Sequence, residues 1–130
     1  MNPTSSVDEV ADRVAVRPGP WATPLTDVVD IVVSNPPYVT SEELAAVDAA
    51  VRDHEPRLAL EADDDGLGPY RDLVATLTGR IAPGGALFLE VDPRRAAAVT
   101  ALVTTTLAPQ TTTTHRDLAG HERVVEARWP

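Results

Sequence analysis

The sequence contains no cysteine, and aromatic residues make up only 4% of its 130 residues. Without cysteine there is no disulfide framework, no thiolate metal site and no thiol nucleophile. The hydrophobic fraction of 43% must therefore build a mainly aliphatic core, of a size that fits one small domain. No apolar run approaches the roughly 20 residues of a membrane span, and the N-terminal segment MNPTSSVDEVADR lacks the apolar core of a signal peptide. We therefore expect a cytoplasmic protein that does not bind a membrane.

Basic residues are also scarce. The 11 Lys and Arg residues stand against 20 Asp and Glu residues, which gives a formal net charge of -9. Direct binding to nucleic acid depends mainly on clustered cations that neutralise phosphates. We therefore expect no direct nucleic-acid partner.

The pattern of apolar residues predicts an α/β sheet. The segments Val28–Val33 and Ala86–Val91 are apolar on both faces apart from Asp30 and Glu90, which is typical of buried parallel strands, and we expect them to be neighbours. The segments Thr111–Thr114 and Glu122–Trp129 predict an antiparallel hairpin at the C-terminus. The alternation in Arg13–Arg17 predicts a further short strand.

Three helices are predicted between these strands. The first follows a capping box formed by Thr40 and Glu43. The third begins at Asp92 as N-cap, with Pro93 in its first turn. The second carries an apolar stripe made of Leu73, Val74, Leu77 and Ile81.

A polar group follows the most apolar strand, in the segment Asn35-Pro36-Pro37-Tyr38. Ligands of open α/β sheets bind beyond the carboxyl ends of the strands. The two prolines donate no backbone hydrogen bond, so the carbonyls of Asn35 and Pro36 are available to accept one. The Asn35 side chain adds one acceptor and two donors, and Tyr38 offers a flat surface. This segment could hold a planar group with an NH2, such as an amide or an exocyclic amine; the alternative is a simple strand-ending turn.

The segment Asp30–Tyr38, DIVVSNPPY, resembles the signature of amino-group methyltransferases that use S-adenosyl-L-methionine (SAM). Adenine-N6 methyltransferases and HemK-type protein-(glutamine-N5) methyltransferases share this motif. Four further segments resemble the HemK type in its own order, namely Val51–Leu60, Asp65–Arg71, Pro83–Glu90 and Asp117–Val125. The resemblance runs from about Val14 to the C-terminus. It indicates the C-terminal part of a methyltransferase catalytic domain over residues 13–130. Residues 1–12 are mostly polar, and we expect them to form a flexible N-terminus.

The resemblance implies a Rossmann-like class I SAM-dependent methyltransferase sheet that ends in the antiparallel hairpin. It also implies methyl transfer to the side-chain amide of the glutamine in the Gly-Gly-Gln loop of a peptide chain release factor. Asn35 and Pro36 would be the catalytic pair, each accepting one hydrogen of the glutamine NH2. Pro37 and Tyr38 would complete the substrate-binding site. Trp21 and Asn35 would contact SAM, with Trp21 near its adenine.

The sequence also departs from the family pattern. It has neither the Asp-x-Gly-x-Gly-x-Gly turn nor the acidic strand end that build most of the SAM site, and Pro20 stands where an acidic residue usually precedes Trp21. We therefore expect a sheet truncated at its N-terminal half, doubtful SAM binding and an inactive isolated chain. The open edge of Val28–Val33 would allow self-association. Two alternatives stay open: a non-catalytic remnant or interaction module of this fold, and an adenine-N6 methyltransferase.

No metal site is expected. His54, His115 and His121 lie far apart in the sequence, without the spacing of metal ligands. The acidic run Asp63-Asp64-Asp65 precedes a predicted helix, where it would favour the helix dipole and stay solvated. Arg71 and Arg123 are expected to form structural ion pairs.

Overall fold

The computed structural model describes residues 10–36 and 66–130. Within these ranges the chain forms two α-helices, α1 (Gly68–Leu77) and α2 (Ala96–Leu107), with a 3-10 turn at Pro93–Arg95 before α2. The strands are β1 (Val29–Ser34), β2 (Ile81–Glu90), β3 (Thr111–Arg116) and β4 (Glu122–Arg128). The predicted helix after Thr40 and Glu43 lies outside the described residues.

The four strands form one mixed sheet in the order β1-β2-β4-β3. Strands β1 and β2 are parallel, with Val32 opposite Leu87 and Ser34 opposite Leu89. Strands β3 and β4 form the antiparallel hairpin, and β4 also pairs with β2. The predicted parallel neighbours and closing hairpin are therefore confirmed.

The boundary between α1 and β2 differs from the prediction. Helix α1 ends at Leu77, and Gly79 follows with a left-handed φ of 74°. Such a glycine stops a helix because it takes this conformation without steric cost. The chain then reverses, and Ile81 enters β2 opposite Val29. The prediction that Ile81 continues the helical stripe was therefore wrong.

The predicted strand at Arg13–Arg17 was also wrong. These residues belong to no strand, and Val14 and Val16 are 57% and 89% exposed. An alternating pattern makes a strand only where a neighbouring strand accepts its hydrogen bonds. The described chain places no such neighbour beside this segment.

Both helices pack on one face of the sheet. The strands contribute Leu87 and Leu89 of β2 and Val125 and Ala127 of β4, all at most 1% exposed. The core also contains apolar residues of α1 and α2, namely Tyr70, Leu73, Val74, Leu77, Ala96, Val99 and Val103. Trp129 packs against the same core, and its indole N–H donates to the carbonyl of Leu107 at 3.0 Å. Val125, Ala127 and Trp129 therefore lie on the same face of the sheet, toward the helices.

A glycine permits the close contact between β1 and β2. A β-carbon on Gly85 would lie 2.7 Å from the carbonyl oxygen of Ala82 and 2.9 Å from that of Asp30. The register between the strands is irregular here, between Val29 and Ile31. Gly85 is therefore required by backbone atoms that cannot easily move aside.

Candidate functional site

Because β1 and β2 are parallel, their carboxyl ends meet at one edge of the sheet. Asn35 and Pro36 directly follow β1, with Asn35 exposed and Pro36 buried. Since Ser34 lies opposite Leu89, Asn35 continues the chain at the level of Glu90. The structure therefore places the predicted amide-binding pair where ligands of α/β sheets bind. Pro37 and Tyr38 lie outside the described residues, and the roles of all four residues stay predictions.

The side chain of Tyr70 stabilises this edge by a hydrogen bond to the end of β2. Its side chain is fully buried, and its hydroxyl donates to the backbone carbonyl of Glu90 at 3.1 Å. The bond ties the first turn of α1 to the end of β2. Sequence reasoning noticed Tyr70 only as part of the HemK-like segment; a tyrosine in the first turn of a helix with an apolar stripe was the available signal.

Asp92 follows β2 at the same edge and is only 6% exposed. Its carboxylate accepts from the backbone N–H of Arg94 at 2.9 Å, which confirms the predicted N-cap. It also accepts from the guanidinium groups of Arg94 at 2.6 Å and Arg95 at 2.7 Å. The side-chain hydrogen bond from Arg94 lowers the pKa of Asp92 below its usual 3.8, although burial acts in the opposite direction.

The backbone of Asp92 is extended, with a φ of -70° and a ψ of 129°, a conformation that is open to any residue. Its side chain forms two ion pairs in addition to the cap, and sequence reasoning did not foresee these ion pairs.

Trp21 adopts a left-handed φ of 53° and is half-buried. The segment after it is tied to α1, because the N–H of Ala22 donates to the hydroxyl of Thr76 at 3.1 Å. Trp21 lines a hollow of about 380 Å³ whose wall also includes Ser34, the residue before Asn35. The structure therefore places Trp21 near the end of β1, the strand that precedes Asn35.

The chemistry of this hollow fits only part of SAM. Besides Trp21 and Ser34, it is lined by Ala22, Leu25, Val32, Val33, Leu73 and Leu77. Such apolar walls suit a flat ring, and an indole could stack on it. Ser34 is the only polar side chain among the described lining residues, whereas the ribose and the amino acid end of SAM need several polar partners.

Two further pairs of polar side chains lie in the hairpin of β3 and β4. His115 lies 2.9 Å from the carboxylate of Glu126, and Arg123 pairs with Asp117 at 3.1 Å, as predicted for Arg123. Within residues 10–36 and 66–130, no group of three or more acidic or histidine side chains could hold a metal. The same ranges contain no helix with the length and hydrophobicity to cross a membrane. His54 and Asp63–Asp65 lie outside them.

A mixed sheet with an Asn-Pro pair at the end of its parallel strands agrees with a truncated Rossmann-like methyltransferase fold. The comparison with known proteins narrows this class. The chain is 41% identical over 114 residues to the release factor glutamine methyltransferase of Caulobacter vibrioides, covering 87% of this chain and 39% of that protein. The corresponding enzyme of Bradyrhizobium diazoefficiens is 38% identical over 119 residues, covering 92% and 40%.

A third relative, the release factor glutamine methyltransferase of Deinococcus radiodurans, is 44% identical over 104 residues, covering 80% of this chain and 36% of that protein. The chain thus spans about two fifths of the length of these relatives. No family model matches it. A solved protein-(glutamine-N5) methyltransferase from Alicyclobacillus acidocaldarius aligns with 98% of this chain and 92% of that chain, at 20% identity and a TM-score of 0.46, too weak a likeness to support an argument.

These relatives confirm the resemblance found in the sequence motifs. The chain is related to the release factor glutamine methyltransferases and corresponds to their C-terminal part.

Proposed function

We propose that this chain carries the amide-binding part of a SAM-dependent site that methylates the Gly-Gly-Gln glutamine of a peptide chain release factor. The observation that supports this most directly is the position of Asn35 and Pro36 at the shared carboxyl edge of β1 and β2. The relatives, which are release factor glutamine methyltransferases, support a release factor as the substrate.

Methyl transfer to the substrate amide depends mainly on how the amide is oriented. The side-chain oxygen of Asn35 accepts one hydrogen of the substrate NH2, and the carbonyl of Pro36 accepts the other. Together they fix the plane of the amide, so that the nitrogen lone pair, which is perpendicular to this plane, faces the methyl donor. They also polarise the amide, which is otherwise a poor nucleophile. SAM, when bound, would supply an electrophilic methyl group: the N–C bond forms as the S–C bond breaks, a neutral thioether is the leaving group, and the amide nitrogen gives up one of its two protons to solvent.

The exposure of the two residues suits these roles. Pro36 is buried while Asn35 is exposed, so the Asn35 amide can reach a substrate. The Tyr70 hydroxyl holds the end of β2 in place beside it. The hollow that Trp21 and Ser34 line offers SAM a mainly apolar wall, so we expect no transfer by the chain alone.

The test combines this chain with the part of the Caulobacter vibrioides relative that it does not span. A release factor, DNA and RNA are each incubated with labelled SAM and either this chain alone or the combination. We expect a methyl group on the Gly-Gly-Gln glutamine only with the combination. Asn35→Ala should lower the rate about 100-fold, the typical effect of removing one stabilising hydrogen bond in an active site.

Gln110→Ala is the matched control. Gln110 also carries an exposed side-chain amide, but it precedes β3 and is far from Asn35 in the sequence. It should leave the rate unchanged. A methylated nucleic acid without a methylated protein would support the adenine-N6 alternative and overturn the proposal. Equal rates for Asn35→Ala and Gln110→Ala would remove Asn35 from the mechanism.

A further inference from the structure

We propose that the turn between β3 and β4, residues Asp117–His121, is a second contact site for the protein substrate, in which Leu118 packs against an apolar patch next to the target glutamine. This inference rests on the proposed function and deepens it, because it names what recognises the folded substrate beyond a single amide. Asn35 and Pro36 hold the glutamine, and the hairpin turn Asp117–His121 holds the surface beside it.

The strand register places the hairpin turn at the edge of the sheet that carries Asn35. Glu90 at the end of β2 pairs with Val124, and the N–H of Val91 donates to the carbonyl of Arg123 at 2.8 Å. The antiparallel strand β4 therefore begins where β2 ends. Neighbouring strands lie about 4.8 Å apart, so in the order β1-β2-β4-β3 the hairpin turn is roughly 10–15 Å from the end of β1. About three to five extended residues of a substrate span this distance.

The carboxylate of Asp117 fixes the backbone of the hairpin turn. Its Oδ1 atom accepts from the N–H groups of Ala119 at 2.9 Å and His121 at 3.0 Å. Its Oδ2 atom accepts from the guanidinium of Arg123 at 3.1 Å. The backbone of Asp117 adds two further bonds, because its N–H donates to the carbonyl of His121 and its carbonyl accepts from the N–H of Gly120. These polar groups therefore hold the turn in one conformation.

Leu118 lies between these bonded residues, and its side chain is completely exposed to solvent. A single exposed leucine is ordinary on a protein surface. This leucine, however, lies on a fixed turn at the edge where the substrate binds, so little conformational entropy is lost when a partner covers it. Complete burial of a leucine side chain strengthens binding roughly tenfold to a hundredfold. The hairpin turn therefore has the properties of a preorganised apolar contact.

The chemistry of the hairpin turn fits a polypeptide better than a nucleic acid. The arginines at the turn are paired within the hairpin, Arg123 with Asp117 at 3.1 Å and Arg116 with Glu122 at 3.2 Å. In a chain of net charge -9, such paired cations are poorly suited to neutralise phosphates. The exposed Leu118 suits an apolar protein surface instead. Because the relatives are release factor glutamine methyltransferases, the partner we name is a release factor.

The test measures binding of a purified release factor to this chain by isothermal titration calorimetry, without methyl transfer. Leu118→Ser should weaken the binding at least about tenfold, because the apolar contact is lost. Asp117→Ala keeps Leu118 but removes the carboxylate that fixes the turn, and it should weaken the binding severalfold.

Val16→Ser is the matched control and should bind the release factor as tightly as the parent chain. Val16 is also apolar and exposed, at 89%. The residue after it, Arg17, lines a hollow together with Val29, the first residue of β1. Val16 therefore lies near the end of β1 that is opposite Asn35.

Urea denaturation of Leu118→Ser completes the test. Its midpoint should equal that of the parent chain, because the side chain of Leu118 is exposed. A lower midpoint would show that Leu118 packs within the chain, and this would overturn the proposal. The proposal is also overturned if the parent chain does not bind the release factor, or if Leu118→Ser and Val16→Ser bind it equally well.

The binding test and the methylation test of the proposed function have separate outcomes. Methylation of the release factor together with equal binding of Leu118→Ser and Val16→Ser would overturn the contact at the hairpin turn alone. Weaker binding of Leu118→Ser without methylation by the combined chains would overturn the proposed function and leave the hairpin turn as a release factor contact.

Discussion

A β-carbon added to Gly66 would lie 1.9 Å from the Nε atom of Arg95 and 2.3 Å from its Cζ atom. The guanidinium of Arg95 therefore packs directly on the backbone of the segment that enters α1. Its position is fixed from the other side by Asp92, which it contacts at 2.7 Å, and its side chain is only 12% exposed. The contact joins the segment before α1 to the turn after β2, at the edge that carries Asn35.

Substituting Gly66 should therefore cost more than backbone strain alone. Gly66 and Gly79 have almost equal φ values, 75° and 74°, but Gly79 has no atom within 4 Å of an added β-carbon. We expect Gly79→Ala to lower the free energy of unfolding by about 1–2 kcal/mol, the cost of a left-handed conformation. Gly66→Ala should cost at least about 1 kcal/mol more, because Arg95 must leave Asp92 to relieve the clash.

Urea denaturation of both variants measures this difference. Adding Arg95→Ala removes the clashing atoms, so Gly66→Ala should then cost no more than Gly79→Ala does. Equal costs in the presence of Arg95 would show that its side chain moves aside freely.

The ion pairs of Asp92 predict how stability depends on pH. Its pKa in the folded chain is lowered, so its contribution is complete above the usual value of 3.8 and is lost as the pH falls through the folded pKa. Asp92→Asn keeps a capping side chain but removes the charge. We expect it to lower the free energy of unfolding by about 1.5–3 kcal/mol at neutral pH, the worth of hydrogen bonds to a charged group.

Below pH 3.8 the difference between the parent chain and Asp92→Asn should shrink. Denaturation curves recorded at neutral and at acidic pH provide the comparison. Asp27→Asn replaces an exposed carboxylate and serves as control, with little change expected at either pH. A difference that stays constant down to the lowest pH would contradict the assigned role of the Asp92 charge.

The hydroxyl of Thr76 predicts the order of the segment that carries Trp21. Thr76 and Thr100 both donate to a carbonyl of their own helix, but Thr76 also accepts the N–H of Ala22. Thr76→Val leaves that N–H without its acceptor and should cost about 1 kcal/mol. Thr100→Val loses only a bond within its helix and should be nearly neutral.

Quenching of tryptophan fluorescence gives a second measurement for Thr76→Val. In a Trp129→Phe background, Trp21 is the remaining tryptophan of the chain. Acrylamide should reach it more easily in Thr76→Val than in Thr100→Val. If quenching is identical in the two variants, the Ala22 hydrogen bond does not hold Trp21 in its hollow.

The sequence was sufficient for the features that depend on neighbours in the chain. The apolar runs predicted β1 and the greater part of β2, and the Asp92-Pro93 pair predicted the cap before α2. Ile81 was assigned to the wrong element because its spacing suits a helix and only the left-handed Gly79 marks the break. Arg13–Arg17 was misread because a strand depends on a partner that local sequence does not reveal.

In the candidate site, too, some features could be predicted from local sequence and others could not. The place of Asn35 and Pro36 followed from a strand ending in prolines, together with the family motif. The Gly66–Arg95 contact and the Tyr70–Glu90 hydrogen bond join residues that are far apart in the chain. No periodicity or spacing encodes such contacts, because they arise only when α1 and the turn after β2 pack on the same sheet edge.

The apolar hollow beside β1 leads to the expectation that this chain alone binds SAM weakly. Trp21 can stack on the adenine, but Ser34 is the only polar side chain lining the hollow among the described residues. Two or three missing hydrogen bonds to the ribose and the amino acid end, at roughly 0.5–1.5 kcal/mol each, should reduce the affinity about fivefold to two-thousandfold relative to a complete site. Calorimetric titration with SAM measures this. Low micromolar binding by the isolated chain would contradict the expectation and imply that residues outside the described ranges complete the cofactor site. Adding the remaining part of the Caulobacter vibrioides relative should restore tight binding of SAM. In that mixture, Trp21→Ala should weaken the binding of SAM, whereas Gln110→Ala should not.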